Sequence, residues 1–133
     1  MLATNSRLDE IQAVVLNVKL KHLVDDNNYR KEIAKYYIKN LNNSCVKLPC
    51  LLPMKSNVYH LFPILCTRRV ELQDYLSTNC IGTVIHYPIP PHKQECYKEW
   101  NHIVLPITEY IAKHELSLPN GPTISFEEVK KVV

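Results

Sequence analysis

Apolar positions recur at helical spacing twice in the first third of the chain. Leu8, Ile11, Val15 and Val18 fall on one helical face. Ser6, followed three residues later by Asp9, has the form of a capping box, in which side-chain oxygens take up free N–H groups at a helix mouth. The helix is therefore expected to start at Ser6. Its run Ala13-Val14-Val15-Leu16 is apolar on more than one face, which a helix wet on one side does not need. It is expected to lie between the core of this chain and a partner, as an oligomer interface. A second helix is predicted after the polar stretch Asp25-Asp26-Asn27-Asn28. Ile33, Ala34, Tyr37, Ile38 and Leu41 form one face of it, and Arg30, Lys31, Lys35 and Lys39 largely the other.

Beyond Ser44 the pattern changes to short extended segments over Val46 to Leu48, Val58 to Cys66 and Ile81 to Tyr87, punctuated by Pro49 and Pro53. Proline has no N–H to give to a ladder, so Pro63 predicts an edge strand or a bulge. Leu72, Tyr75 and Leu76 predict a helix over Val70 to Asn79 and a strand–helix–strand unit. Pro88-Ile89-Pro90-Pro91 reads as a stiff extended loop, because each proline biases its predecessor away from the helical region. A helix over Pro106 to His114 and a short extended Leu116-Ser117-Leu118 follow. The last helix opens on a capping box of Ser125 and Glu128, with Ile124 and Val129 as its hydrophobic staple. The fold class is α+β: long N-terminal helices, then a small mixed α/β domain with a short antiparallel or mixed sheet. Residues 1–43 are the expected interface helices and residues 44–133 the small domain.

Composition narrows the function. A chain of 133 residues suits one core. No apolar run approaches the roughly 20 residues of a membrane span, and Asn5, Arg7 and Asp9 leave no signal-peptide apolar region, so a cytoplasmic protein without a membrane partner is expected. The net charge of +3 comes from sixteen basic and thirteen acidic residues spread along the chain, which argues against a nucleic-acid partner. Five cysteines without a CxxC pair argue against a disulfide framework or a metal site. With only two glycines, no glycine-rich phosphate loop fits.

Two places can carry chemistry. Asn5-Ser6-Arg7 stands at a helix mouth, where free N–H groups and the helix dipole favour an anion such as phosphate and a guanidinium adds a fork for it. The same residues also serve a plain cap, and Asp9 and Glu10 compete with an anion. Ile85 to His92 puts an imidazole, His86, and a phenol, Tyr87, at a strand end before a loop too stiff to wander. The alternative there is a structural histidine and a packing tyrosine. His22, His60, His102 and His114 have no motif around them and are read as structural. Cys96, Tyr97 and Trp100 are read as a core or interface anchor.

Taken together, Asn5-Ser6-Arg7-Leu8-Asp9-Glu10-Ile11-Gln12-Ala13, then Ile81-Gly82-Thr83-Val84-Ile85-His86-Tyr87-Pro88-Ile89-Pro90-Pro91-His92, then Leu116-Ser117-Leu118-Pro119 resemble the C-terminal part of the sugar-nucleotide aminotransferases, the DegT/DnrJ/EryC1/StrS family. The resemblance implies an aspartate-aminotransferase-type small domain, pyridoxal phosphate as cofactor and a nucleotide-linked keto sugar as substrate. It also implies a homodimer, or a partner chain carrying the large domain, and amino-sugar synthesis for surface polysaccharide or lipopolysaccharide. Asn5 and Arg7 match the residues at the cofactor phosphate of the neighbouring subunit, and His86 and Tyr87 match the pair that meets the sugar nucleotide. The Schiff-base lysine, the acid at the pyridine nitrogen and the aromatic on the ring lie upstream of the Asn-Ser-Arg motif in that family. Here only Met1-Leu2-Ala3-Thr4 stand there, and no lysine matches. The resemblance therefore implies no catalytic residue in this chain and no turnover by it alone, because transamination needs that amine. Asn120-Gly121 also departs from the family pattern after Leu-Pro. A non-enzymatic dimerisation or interaction module derived from the same family is the alternative.

Overall fold

The computed structural model describes residues 9–49 and 57–133. The first helix, α1, spans Glu10–Leu20 with Asp9 as its N-cap, the Asp9 carboxylate accepting from the Ile11 N–H at 3.0 Å. Asp9, expected to close a box begun by Ser6, is itself the cap: a carboxylate there satisfies a free N–H as well as a hydroxyl does. Ser6 lies outside the described residues. The chain turns at Lys21 and His22, and α2 runs over Leu23–Asn40. The polar stretch expected ahead of this helix is inside it. Asp25 and Asp26 occupy its first turn, where negative charge complements the helix dipole.

The buried residues of α2, Ile33, Ala34 and Tyr37, lie in its second half. On α1 no residue is buried, and Ile11, Val14, Val15, Leu16, Val18 and Leu20 are all exposed. The expectation that α1 rests on the core of its own chain is thus corrected. Its apolar faces are uncovered by the described residues.

The sheet has three antiparallel strands in the order β1-β2-β3, with β1 at Val46–Lys47, β2 at Phe62–Cys66 and β3 at Glu115–Leu118. Phe62, Ile64 and Cys66 point into the core while Pro63 is exposed, the alternation of a half-buried strand. The strand bearing Pro63 is central, not an edge. Proline is accommodated because β1 pairs only with Leu65 and Cys66, so at Pro63 the strand has a single partner, Ser117 of β3, among the described residues.

The third expected strand, Ile81 to Tyr87, reduces to one bridge. Val84 N–H donates to Ser117 O at 3.3 Å and Ser117 N–H to Val84 O at 2.8 Å. The next pairing in that register would be His86 with Glu115. There the His86 N–H donates to the Glu115 carboxylate instead, at 2.7 Å, and the ladder stops. Held between β2 and Val84, all four residues of β3 are buried.

Helix α3, Arg69–Thr78, buries Leu76 against the sheet, and α4, Pro106–His114, starts on a proline whose missing N–H is no loss in a first turn. The proline loop expected to be extended bends at Pro88 and Ile89, and Pro91 opens a short 3₁₀ turn, Pro91–Lys93. Helix α5, Phe126–Lys131, has the expected capping box, and Ile124 and Val129 both join the core. The Tyr37 hydroxyl donates to Pro119 O at 2.9 Å, tying α2 to the end of β3, and burial pushes this phenol far above its ordinary pKa. Among the described residues no helix is long and apolar enough to cross a membrane.

Candidate functional site

Two polar side chains stand in the most buried strand: Glu115 is 2% exposed and Ser117 4%. Such groups are costly away from water unless partnered. The Ser117 hydroxyl donates to Glu115 Oε1 at 2.6 Å, and the other carboxylate oxygen, Oε2, takes the His86 N–H. His86 Nδ1 lies 2.9 Å from Ser117 Oγ. His86 is therefore held at two points by β3, its backbone N–H on Glu115 and its ring on Ser117, beside the bridge at Val84.

Tyr87 sets its ring edge-on to His86, with centroids 5.6 Å apart at 88°, and is itself 72% exposed. These consecutive residues, expected at a strand end, follow the single bridge at Val84 instead. They open onto a groove of about 210 Å³ whose other walls are Ile89 and Pro90 of the loop and Thr108, Ile111 and Ala112 of α4. Enclosed small-molecule sites usually run to roughly 300–1,000 Å³, so this groove has the size of one wall of a larger site.

A second histidine pins those walls together. His92 is 4% exposed, and its Nε2 meets Glu109 Oε1 at 3.0 Å. The same oxygen accepts the Leu105 N–H at 3.1 Å, and the Lys93 ammonium stands 3.6 Å away. The His92 hydrogen bond, then the Leu105 N–H and the Lys93 charge, hold the Glu109 carboxyl below the usual carboxylate range. Lys93 also donates to Asn101 O and Ile103 O, at 2.8 and 3.0 Å. The segment from Pro91 to Leu105 is thereby fastened to α4.

Asn5 and Arg7 lie outside the described residues. The groove itself presents an imidazole, a phenol and the Thr108 hydroxyl, with no lysine or arginine among its lining residues. That donor set does not fit the phosphate of pyridoxal phosphate; it fits a polar, uncharged group. Trp100 and Tyr97 stack at 4.7 Å and 3° on the surface instead of anchoring the core. His114 bonds to Tyr110 O at 2.8 Å within its own helix, as a structural histidine does. A larger hollow, about 480 Å³ between Tyr37, Ile81, Pro119 and Val129, shares no residue with the His86 groove. Among the described residues no three His, Cys, Asp or Glu side chains gather as metal ligands would.

Sequence reasoning missed Glu115 and Ser117. The available signal was a serine and a glutamate alternating in a segment otherwise apolar, which demands partners once buried; which partners depends on contacts 29 and 31 residues away.

This arrangement of helices around a three-stranded sheet is a portion of an aminotransferase fold. The solved structure of DesV from S. venezuelae matches it with a TM-score of 0.88 and 37% identity, over 97% of this chain and 36% of that one. A Bacillus subtilis structure, ntda with bound cofactor PMP, matches with a TM-score of 0.84 and 29% identity over 97% of this chain and 32% of that one. By the pattern of its sequence over residues 1–133, the chain belongs to the DegT/DnrJ/EryC1/StrS aminotransferase family. The dTDP-3-amino-3,6-dideoxy-alpha-D-galactopyranose transaminase of Aneurinibacillus thermoaerophilus is 48% identical to it over 129 residues. That match takes in 97% of this chain and 36% of the relative, so the chain spans about a third of the length of that protein.

Proposed function

We propose that this chain is the C-terminal, small-domain portion of a pyridoxal-phosphate-dependent aminotransferase acting on a nucleotide-linked keto sugar, in amino-sugar synthesis for surface polysaccharide or lipopolysaccharide. The observation that carries the reading is the groove at His86 and Tyr87: polar, uncharged in its lining, rigidly held, and of a size that needs a second wall. A sugar offers hydroxyls and ring C–H faces, which an imidazole and an aromatic ring suit.

In this reading residues 44–133 form the small domain and residues 1–43 the interface helices. Those helices dock on a second copy or on a chain that supplies the large domain and its lysine. Asn5 and Arg7 hold the cofactor phosphate of that partner through charge-assisted hydrogen bonds. The cofactor, when bound there, supplies the amino-group carrier chemistry. This chain binds and orients the sugar with His86 and Tyr87, and the clamp of His92 on Glu109 keeps the walls of the groove in register. The exposed apolar faces of α1 favour a second reading, a non-enzymatic interaction module derived from the family.

The test introduces Arg7→Ala and His86→Ala into a full-length enzyme carrying these motifs and compares thermal stability with kcat/KM. Removing the His86 side chain leaves both donors of the Glu115 carboxylate in place, so stability falls by no more than about 1 kcal/mol. Activity falls by at least about tenfold, the equivalent of one lost hydrogen bond to a charged or reacting group. Full activity in both variants, or loss of activity only through unfolding, contradicts the reading.

A further inference from the structure

The proton count along the hydrogen-bond chain from Glu115 to His86 fixes where each hydrogen sits. An ionised carboxylate only accepts, and a backbone N–H only donates. The His86 N–H therefore occupies Glu115 Oε2, and Oε1 takes the single proton of the Ser117 hydroxyl at 2.6 Å. Toward His86 Nδ1, 2.9 Å away, Ser117 Oγ then has only lone pairs to offer. Nδ1 must carry the hydrogen, and Nε2 of a neutral ring must not. With Glu115 and Ser117 both buried, water is not at hand to relax the constraint. Were Glu115 protonated on Oε1, the two bonds through the Ser117 hydroxyl would reverse while the His86 N–H still donated to Oε2, and Nε2 of a neutral ring would carry the hydrogen.

We propose that Glu115 and Ser117 are positioning residues that hold neutral His86 as the Nδ1–H tautomer, so that Nε2 presents a lone pair to a hydroxyl or N–H donor of the ligand. Among the described residues Nε2 makes no hydrogen bond of its own. A ligand group that only accepts, such as a carbonyl or phosphate oxygen, meets a lone pair there and is disfavoured; a hydroxyl is selected. This is the logic by which a second group sets which nitrogen of a histidine does the work. The assignment of the ligand rests on the sugar-nucleotide reading of the groove, whereas the assignment of the tautomer does not.

The experiment is long-range ¹⁵N–¹H correlation spectroscopy of the full chain with ¹⁵N-labelled histidine and no ligand, at a pH where the His86 ring is neutral by its own spectrum. The His86 signals are identified by their absence in His86→Asn. The wild-type chain is expected to show the Nδ1–H form in about tenfold excess, the worth of one hydrogen bond. In Glu115→Gln the amide oxygen must face the His86 N–H, so the amide NH₂ faces Ser117, whose hydroxyl turns toward Nδ1. The same measurement should then show the Nε2–H form in comparable excess. Ser117→Ala, which removes the relay with one small atom, should abolish the wild-type bias. A wild-type spectrum dominated by the Nε2–H form overturns the proposal even if neither variant folds, and so does an unchanged tautomer in a folded Glu115→Gln chain. Because no sugar is present, this result and the sugar-nucleotide assignment can fail separately.

Discussion

Glu109 shows how much a single carboxylate organises here. It receives His92, the Leu105 N–H and Lys93, and through them fastens the segment after the proline loop to α4. Its carboxyl is depressed in the folded chain, chiefly by the His92 hydrogen bond. A depressed carboxyl stabilises the fold above the ordinary carboxylate value, near pH 4, and loses that contribution as pH falls through its lower folded value. Thermal melting of the wild-type chain should therefore weaken more steeply between about pH 5 and pH 3 than that of Glu109→Gln, whose amide cannot titrate. Parallel pH profiles would show that the contact is incidental. At this scale the sequence singled out His86 and Tyr87, because an apolar extended pattern followed by prolines is a local signature. It was silent about Glu115 and Ser117, whose role exists only once β3 is walled in by β2 and Val84.

The cap of α5 shows local chemistry matching its sequence expectation, and several elements governed by distant partners depart from theirs. The cap of α5 is contained within four residues, Ser125 to Glu128, and forms as its pattern suggests. Pro63 misled because the rule against proline in a central strand presumes a neighbour on both sides at that position, and β1 is too short to provide one. The segment from Ile81 to Tyr87 has the composition of a strand, but its next ladder donor, the His86 N–H, is captured by the Glu115 carboxylate. Helix α1 is the clearest case. Its apolar residues follow the helical period, yet the described chain gives them nothing to cover. Apolar surface left in water costs roughly 25 cal/mol per Å², so this helix should seek a partner. Sedimentation at tens of micromolar should show self-association of the wild-type chain, and Val15→Asp with Leu16→Asp should shift it toward monomer with its circular dichroism retained. A wild-type monomer under those conditions would contradict the interface assigned to these helices.

For the molecule as a whole, the proposal is that this α+β lobe contributes His86 and Tyr87 as one wall of a sugar site completed by a large domain. The chain matches 36% of the length of its Aneurinibacillus relative, and its groove has the size of part of a site. The most direct test is to join this chain, in place of the corresponding segment, to the large-domain portion of that relative. Transamination of a nucleotide-linked keto sugar by the joined protein is then compared with that by the purified chain alone. The account predicts amino-sugar formation by the joined protein, its loss with His86→Ala at little changed stability, and none by the chain alone, which should also retain no pyridoxal phosphate after borohydride treatment. A folded joined protein without activity, or amino-sugar formation by the 133-residue chain on its own, would contradict it.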